Sequence, residues 1–415
     1  MDLLKSGAAV MAGSMAGNIS NYLFQFIMSR NLSIEDYGAM NSVFSMLVIV
    51  AIPATAVMFV TAKYISSYRA KGDSLRISSL YRNSLVKMSL AGALAFLPFA
   101  AFGGQISAYL KIGSNLPVML AGISVLFTFA FTVNLGMLQG LKRFYLLGAG
   151  LGLTGVVKLA AGALSLPLGL GLNGAIGAVA FATLAVFVIT AIPLLGHLKK
   201  NRAEVRKETK EIALYALPVL FSALAFTAIT NIDMIIVRHL FTSEEAGLYA
   251  AASVLGKTVL FLPSAFVLAL FPAVAESHTL NKDAFAILDK GLLFTALLSM
   301  AGVLGFAFFP ELAIKTLFGE RFIAAAPLLK LYGIAMAFMA MISVLISFNL
   351  ARNRTGFIYS LVAASIALFG LLHMVHGGLQ GVMLVVLGVH TALAAFNLFL
   401  VYRERLLFNK AKVKL

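Results

Sequence analysis

The sequence predicts an all-α membrane protein with twelve transmembrane helices in two pseudo-symmetric six-helix bundles and both termini cytoplasmic. Three observations carry that expectation. Of the 415 residues 61% are hydrophobic and only 12% charged, whereas soluble domains are about half apolar and roughly a quarter charged. Apolar runs of about 20 residues, the length that spans a bilayer as a helix, recur from one end to the other. The basic residues fall between those runs, heavily on alternate sides.

The runs can be taken in order. The first, 6–28, follows Met1–Lys5; it is too long for the core of a signal peptide and another span comes after it, so it reads as an uncleaved first helix. Then come 37–62 with Pro53 inside, 84–102, 117–141, 144–166 with Lys158 near its middle, and 174–196. A basic stretch, Lys199–Lys210, separates these six from 211–236, which carries Asp233, and 247–272, which carries Lys257 and Pro263. The last four are 291–309, 327–350, 355–373 and 381–402. Connections are short, and none is long enough to form a soluble domain.

Charge tests the count. With the N-terminus and every second loop assigned to the cytoplasm, 23 Lys and Arg lie inside and 5 outside. That asymmetry follows the positive-inside rule, and one missed or extra helix would scramble it. The formal charge of +16 would suggest nucleic acid in a soluble protein; here it is an orientation signal, and no nucleic-acid partner is expected. The chain has no cysteine, which excludes disulfides, thiol catalysis and cysteine metal sites.

The first outer loop reads Arg30-x-Leu32-Ser33-x-Glu35-Asp36-x-Gly38, and the loop after the seventh span runs from Arg238 through Thr242-Ser243-Glu244-Glu245-Ala246-Gly247. Each is a helix start, with a hydroxyl cap and carboxylates at the positive end of the dipole. Capping explains each loop alone, but not its return at the first loop of each six-span set. The expected organisation is an N-terminal lobe 1–198, a basic linker 199–210, a C-terminal lobe 211–402 and a basic tail 403–415. Transporters commonly place the substrate pathway between such repeats.

Two stretches also resemble a known family. Leu32-Ser33-Ile34-Glu35-Asp36-Tyr37-Gly38 through Lys63-Tyr64 looks like the first helical hairpin of the polysaccharide-biosynthesis flippases. Ile232-Asp233-Met234-Ile235-Ile236-Val237, Glu244-Glu245-Ala246-Gly247-Leu248-Tyr249, Leu255-Gly256-Lys257, Pro263 and Phe271-Pro272 look like their seventh and eighth helices. These are the O-antigen and capsule repeat-unit flippases of the multidrug/oligosaccharidyl-lipid/polysaccharide (MOP) superfamily. The resemblance implies two six-helix lobes, alternating access and export of a lipid-linked glycan across the plasma membrane, with membrane lipids and a proton or sodium ion as further partners.

Candidate site residues are the polar groups inside spans. A charge at mid-bilayer costs about 2.5–3.5 kcal/mol on insertion scales, so such groups tend to face a cavity. Lys158 serves substrate or coupling chemistry, or else a structural pair. Lys257 matches the family's lysine and is a candidate contact for an anionic head group. Asp233 either binds a proton or cation, or pairs with Arg238 or Lys257. Asn18, Asn21 and Gln25 share one face of the first span; they line a cavity suited to sugar hydroxyls or bond to a neighbouring helix. Lys63, Arg82 and Lys87 are candidates for a cytoplasmic entrance, against the simpler reading of orientation and snorkelling.

Other signals are declined. Gly150-x-Gly152-x-x-Gly155 matches a dinucleotide fingerprint but lies inside a span with no preceding strand; together with Gly13/Gly17 and Gly148/Gly152 it reads as helix packing. His373 and His376 have no third ligand nearby. No catalytic triad or nucleotide loop appears, so neither enzyme activity, cofactor nor metal is expected. The function these readings favour is a flippase for a polyprenyl-pyrophosphate-linked oligosaccharide. The alternatives are a multidrug or cation antiporter of the same superfamily and, further off, a glycan polymerase.

Overall fold

The computed structural model describes residues 3–198, 209–264, 284–352, 354–375 and 377–413, together with Val267, Leu270 and Val274. Among them no strand occurs. The helices are α1 (Leu3–Asn31), α2 (Ile34–Ala70), α3 (Ser74–Ala101), the short α4 (Gly103–Tyr109), α5 (Leu116–Gly140), α6 (Phe144–Ser165), α7 (Gly171–Ala191), α8 (Thr209–Ile229), α9 (Ile232–Leu240), α10 (Ser243–Phe261), α11 (Phe285–Phe308), the short α12 (Pro310–Leu317), α13 (Ala326–Ala351), α14 (Phe357–His373) and α15 (Gly378–Val413). The chain divides into two units, Met1–Leu220 and Phe221–Leu415.

Both repeated turns are N-caps. The Ser33 side chain accepts from the Asp36 amide at 3.0 Å, and Thr242 forms a reciprocal capping box with Glu245. Each satisfies amides that the first helical turn would otherwise leave unpaired.

In the first unit α1 packs along α6 on a seam of glycines. A Cβ on Gly17 would stand 2.8 Å from the Leu151 carbonyl oxygen, and one on Gly155 would collide with the Gly17 carbonyl. Only glycine lets the two backbones approach this closely. The fingerprint-like Gly150–Gly155 is thus part of a packing surface. A second tie is polar: buried Asn134 on α5 accepts from the Tyr81 hydroxyl of α3 at 2.8 Å and donates to the Phe187 carbonyl and the Thr190 hydroxyl of α7, each at 3.1 Å.

In the second unit the core joins α11, α13 and α15 through Phe285, Leu288, Leu345, Phe348 and Val401. Arginines close one end of this core. Arg405 bonds Asp289 at 2.8 Å and Arg352 bonds Glu404 at 2.6 Å, while both guanidinium groups lie against the Phe285 ring.

Several sequence expectations change. Nine helical stretches among the described residues are long and apolar enough to cross a membrane; the spans expected at 6–28, 247–272 and 355–373 are not among them, and 265, 266, 268, 269, 271 and 272 of the second lie outside the described residues. Helices do stand there, but α1 is diluted by glycine, serine, Asn18, Asn21 and Gln25, α10 opens on Glu244 and Glu245, and α14 has only 17 residues. The span expected over 211–236 is among the nine, as Leu217–Leu240, with a turn inside it: α8 stops at Ile229 and α9 starts at Ile232. The inner loop expected over Lys63–Arg82 shrinks to residues 71–73, because α2 and α3 run on past the apolar stretch. Helix α15 likewise continues to Val413, through most of the expected tail. Residues 199–208 of the linker, Phe271, Pro272 and His376 lie outside the described residues.

Candidate functional sites

Each unit seats an ionisable candidate-site group among its helices. In the first, Lys158 of α6 lies over the rings of Phe24 (α1) and Phe44 (α2), its Nζ 4.6 and 5.7 Å from their centroids. Ring faces attract a desolvated ammonium by about 2 kcal/mol, but they do not neutralise it. Among the described residues no carboxylate reaches Lys158.

An amide network joins the same two helices, α1 and α2. Gln25 donates to the Asn41 side-chain oxygen at 3.1 Å and accepts from the Tyr37 hydroxyl at 2.8 Å, and Asn41 donates to the Tyr37 carbonyl at 3.0 Å. Gln25 is therefore committed to holding α1 against α2. Asn21 and Asn18, one and two turns earlier on α1, are exposed. The stripe of three amides read from the sequence splits into one structural member and two open ones.

The second centre forms where α8 breaks. The break leaves Asp233 in the first turn of α9, where the helix dipole favours a carboxylate. Asp233 is 1% exposed. Its Oδ2 accepts from Tyr249 of α10 at 2.6 Å and from Tyr332 of α13 at 2.8 Å, and the two rings meet edge to face. Its Oδ1 has no hydrogen-bond partner among the described residues. The expected pairing of Asp233 with Arg238 or Lys257 is not what forms. Arg238 donates to the Ser243 carbonyl at 3.2 Å, and the Lys257 ammonium donates to the Asn231 side-chain oxygen at 2.9 Å. The tyrosines win because their hydroxyls reach the carboxylate from two packed helices, while Lys257 meets the Asn231 amide first.

His390 of α15 completes this centre. It is fully buried. The Ile229 and Ala335 backbones and the Asp233 charge lie close to it. Sequence reasoning missed Asn231, Tyr249, Tyr332 and His390. Two of them left a signal: Tyr249 stands in the stretch that carries the family resemblance, and His390 is a lone imidazole in the apolar run 381–402.

The entrance candidates lie on two helices. Lys63 on α2 lies over the Tyr64 ring at 5.8 Å, while Arg82 and Lys87 are exposed on α3.

These features define a multi-pass integral membrane protein with a charged group seated inside each unit. The fold is shared with solved MOP-superfamily structures. An inward-facing multidrug resistance MATE family transporter aligns with a TM-score of 0.80 at 13% identity, covering 96% of both chains. The lipid II flippase MurJ in an inward closed conformation aligns at 0.71 and 14% identity, over 96% of this chain and 87% of that one. An uncharacterized membrane protein of Methanocaldococcus jannaschii is 23% identical over 394 residues, 89% of each chain. The chain belongs to the polysaccharide biosynthesis protein family, whose model matches residues 3–278.

Proposed function

We propose that the protein is a flippase that moves a polyprenyl-pyrophosphate-linked oligosaccharide from the cytoplasmic to the outer leaflet of the plasma membrane by alternating access. The nine apolar helices, with α1, α10 and α14 added and α8–α9 counted as one span, make twelve. Both termini are then cytoplasmic, and the lobes are 1–198 and 211–402. The observation that carries the reading is Lys158, an ammonium held by two aromatic rings with no carboxylate among the described residues to neutralise it. Such a group suits a phosphate of the carrier. Lys257 supplies a second cation, and exposed Asn18 and Asn21 offer amides to sugar hydroxyls.

Membrane potential can drive the step. Moving one charge through 100 mV is worth roughly 2.3 kcal/mol, so outward passage of a dianion gains about twice that. Asp233 is the group for coupling to an ion gradient. A multidrug antiporter is the second reading, favoured by the likeness in fold to a MATE transporter. Cationic drugs call for open carboxylates, and Asp233, the buried carboxylate described here, is committed to two tyrosines.

Proteoliposomes loaded with either a fluorescent polyprenyl-pyrophosphate disaccharide or a cationic dye separate the two readings. The flippase reading expects movement of the lipid-linked saccharide and none of the dye. Dye movement without lipid movement would overturn it.

A further inference from the structure

Helices α14 and α15 enclose an open groove of about 530 Å³. Its floor is made of small residues, Ala367 on one helix and Gly388 and Ala392 on the other, and a Cβ added to Gly388 would meet no atom within 4 Å. The groove runs from Ser360 and Phe396 at one end to Leu371 and Val385 at the other. That is about 16 Å at the helical rise, close to half of a hydrocarbon core of about 30 Å. The Ser360 hydroxyl at the rim donates to the Phe357 carbonyl and accepts from the Asn397 amide at 3.0 Å. Among the lining residues no polar group is left to hold a sugar or a head group, so the groove suits a hydrocarbon chain.

A basic cluster stands beyond the Ser360 end. Phe396 and Arg403 are seven residues apart, which puts them on one face of α15, with Arg403 about 10 Å past the groove. Arg403 is exposed, and the ion pairs here belong to its neighbours: Glu404 takes Arg352 and Arg354, and Asp289 takes Arg405. The Arg354 side chain remains 63% exposed. Arg352, Arg354, Arg403 and Arg405 against Asp289 and Glu404 leave two positive charges over. Between these arginines and the groove, in the first turn of α14, stands exposed Tyr359, an aromatic residue of the kind that sits at head-group depth.

We propose that the groove binds one acyl chain of an anionic phospholipid whose phosphate is held by Arg403 and Arg354. In the topology proposed above this end is cytoplasmic, the leaflet that carries anionic lipid. The site is separate from Lys158 and does not depend on the cargo. A depth of one leaflet suits a phospholipid chain rather than a carrier of many isoprene units. Charge disfavours a second copy of this chain as the occupant, because an isologous contact through the groove would bring the same arginines together from both copies. Helix α14 gains most from the lipid. It has 17 residues and buries only Phe357, Leu361, Leu368 and Leu372, so a chain in the groove ties it to α15.

The test is native mass spectrometry of the full chain, stripped of lipid in detergent and titrated with phosphatidylglycerol or phosphatidylcholine of identical chains. Wild type is expected to hold one phosphatidylglycerol at least about fivefold more tightly than phosphatidylcholine, roughly the factor that one arginine near a membrane surface contributes toward anionic lipid. Arg403→Gln cuts that preference by about fivefold. Gly388→Leu fills the groove and loses both lipids, while Gly370→Leu on α14, equally open but outside the lining, keeps them. Equal affinity of wild type for the two lipids, an undiminished preference in Arg403→Gln, or equal retention by the two glycine variants overturns the site. Tighter binding of a polyprenyl phosphate that Gly388→Leu abolishes would give the groove to a carrier tail, and dimers that Gly388→Leu abolishes would give it to a second copy; either result overturns the proposal. Leucine favours a helix over glycine; should Gly388→Leu still fail to fold, Ala392→Leu fills the same groove and takes its place.

Discussion

Adding one methyl group to Gly17 or Gly155 tests the seam that seats Lys158. A Cβ on Gly17 meets the Leu151 carbonyl at 2.8 Å, and one on Gly155 meets the Gly17 carbonyl. Both obstacles are backbone, so no side chain can swing away; α1 and α6 must separate. Overpacking of this kind costs about 1–3 kcal/mol. For a unit the size of Met1–Leu220, each kcal/mol lowers the melting temperature by about 2–4 °C. Gly155→Ala should therefore melt about 2–12 °C below wild type in detergent, followed by fluorescence-detected size exclusion after heating. Gly7→Ala on the same α1 is the control. No atom stands within 4 Å of its added Cβ, and alanine favours a helix over glycine by up to about 1 kcal/mol. Gly7→Ala should melt at or above wild type. Equal melting of the Gly155 and Gly7 variants would refute the close approach, and with it the placement of Phe24 under Lys158.

Three further outcomes follow from the contacts. Asn134→Leu strands the Tyr81 hydroxyl, while Thr190 keeps its bond to the Val186 carbonyl; the lost partner should cost about 1–3 kcal/mol, which urea or thermal melts in detergent check. Removing the caps with Ser33→Ala and Thr242→Ala should each cost about 1 kcal/mol, the two adding because they serve different units; the double variant measures the sum. Phe24→Leu keeps apolar volume but removes the ring under Lys158. It should weaken seating of the ammonium by about 1–2 kcal/mol and cut lipid translocation more than it lowers the melting temperature.

Hydropathy makes most of the helices legible. So do the repeated caps, because Ser33 and Thr242 act within four residues of their own partners. The break at Thr230–Asn231 is hidden, since both residues sit in a run apolar enough to read as continuous. What Asn231 does there depends on Lys257, 26 residues further on. The tyrosines on Asp233 are hidden for the same reason: Tyr332 lies 99 residues away, and no local pattern marks it. Gln25 shows the reverse error. Its spacing from Asn18 and Asn21 is real, but α2 supplies Tyr37 and Asn41 to absorb it. Lys158 was visible as a charge at mid-span, while the two rings that hold it came only with the packing of α1 and α2.

The central claim is that Lys158 presents an uncompensated positive charge to an anionic carrier. Lipid translocation in proteoliposomes by wild type, Lys158→Arg and Lys158→Gln, at matched reconstitution and with melting temperatures measured alongside, tests it most directly. The account predicts substantial transport by Lys158→Arg and loss of about tenfold or more in Lys158→Gln, about 1.4 kcal/mol or greater, with both variants folded. Wild-type rates in a folded Lys158→Gln would contradict it.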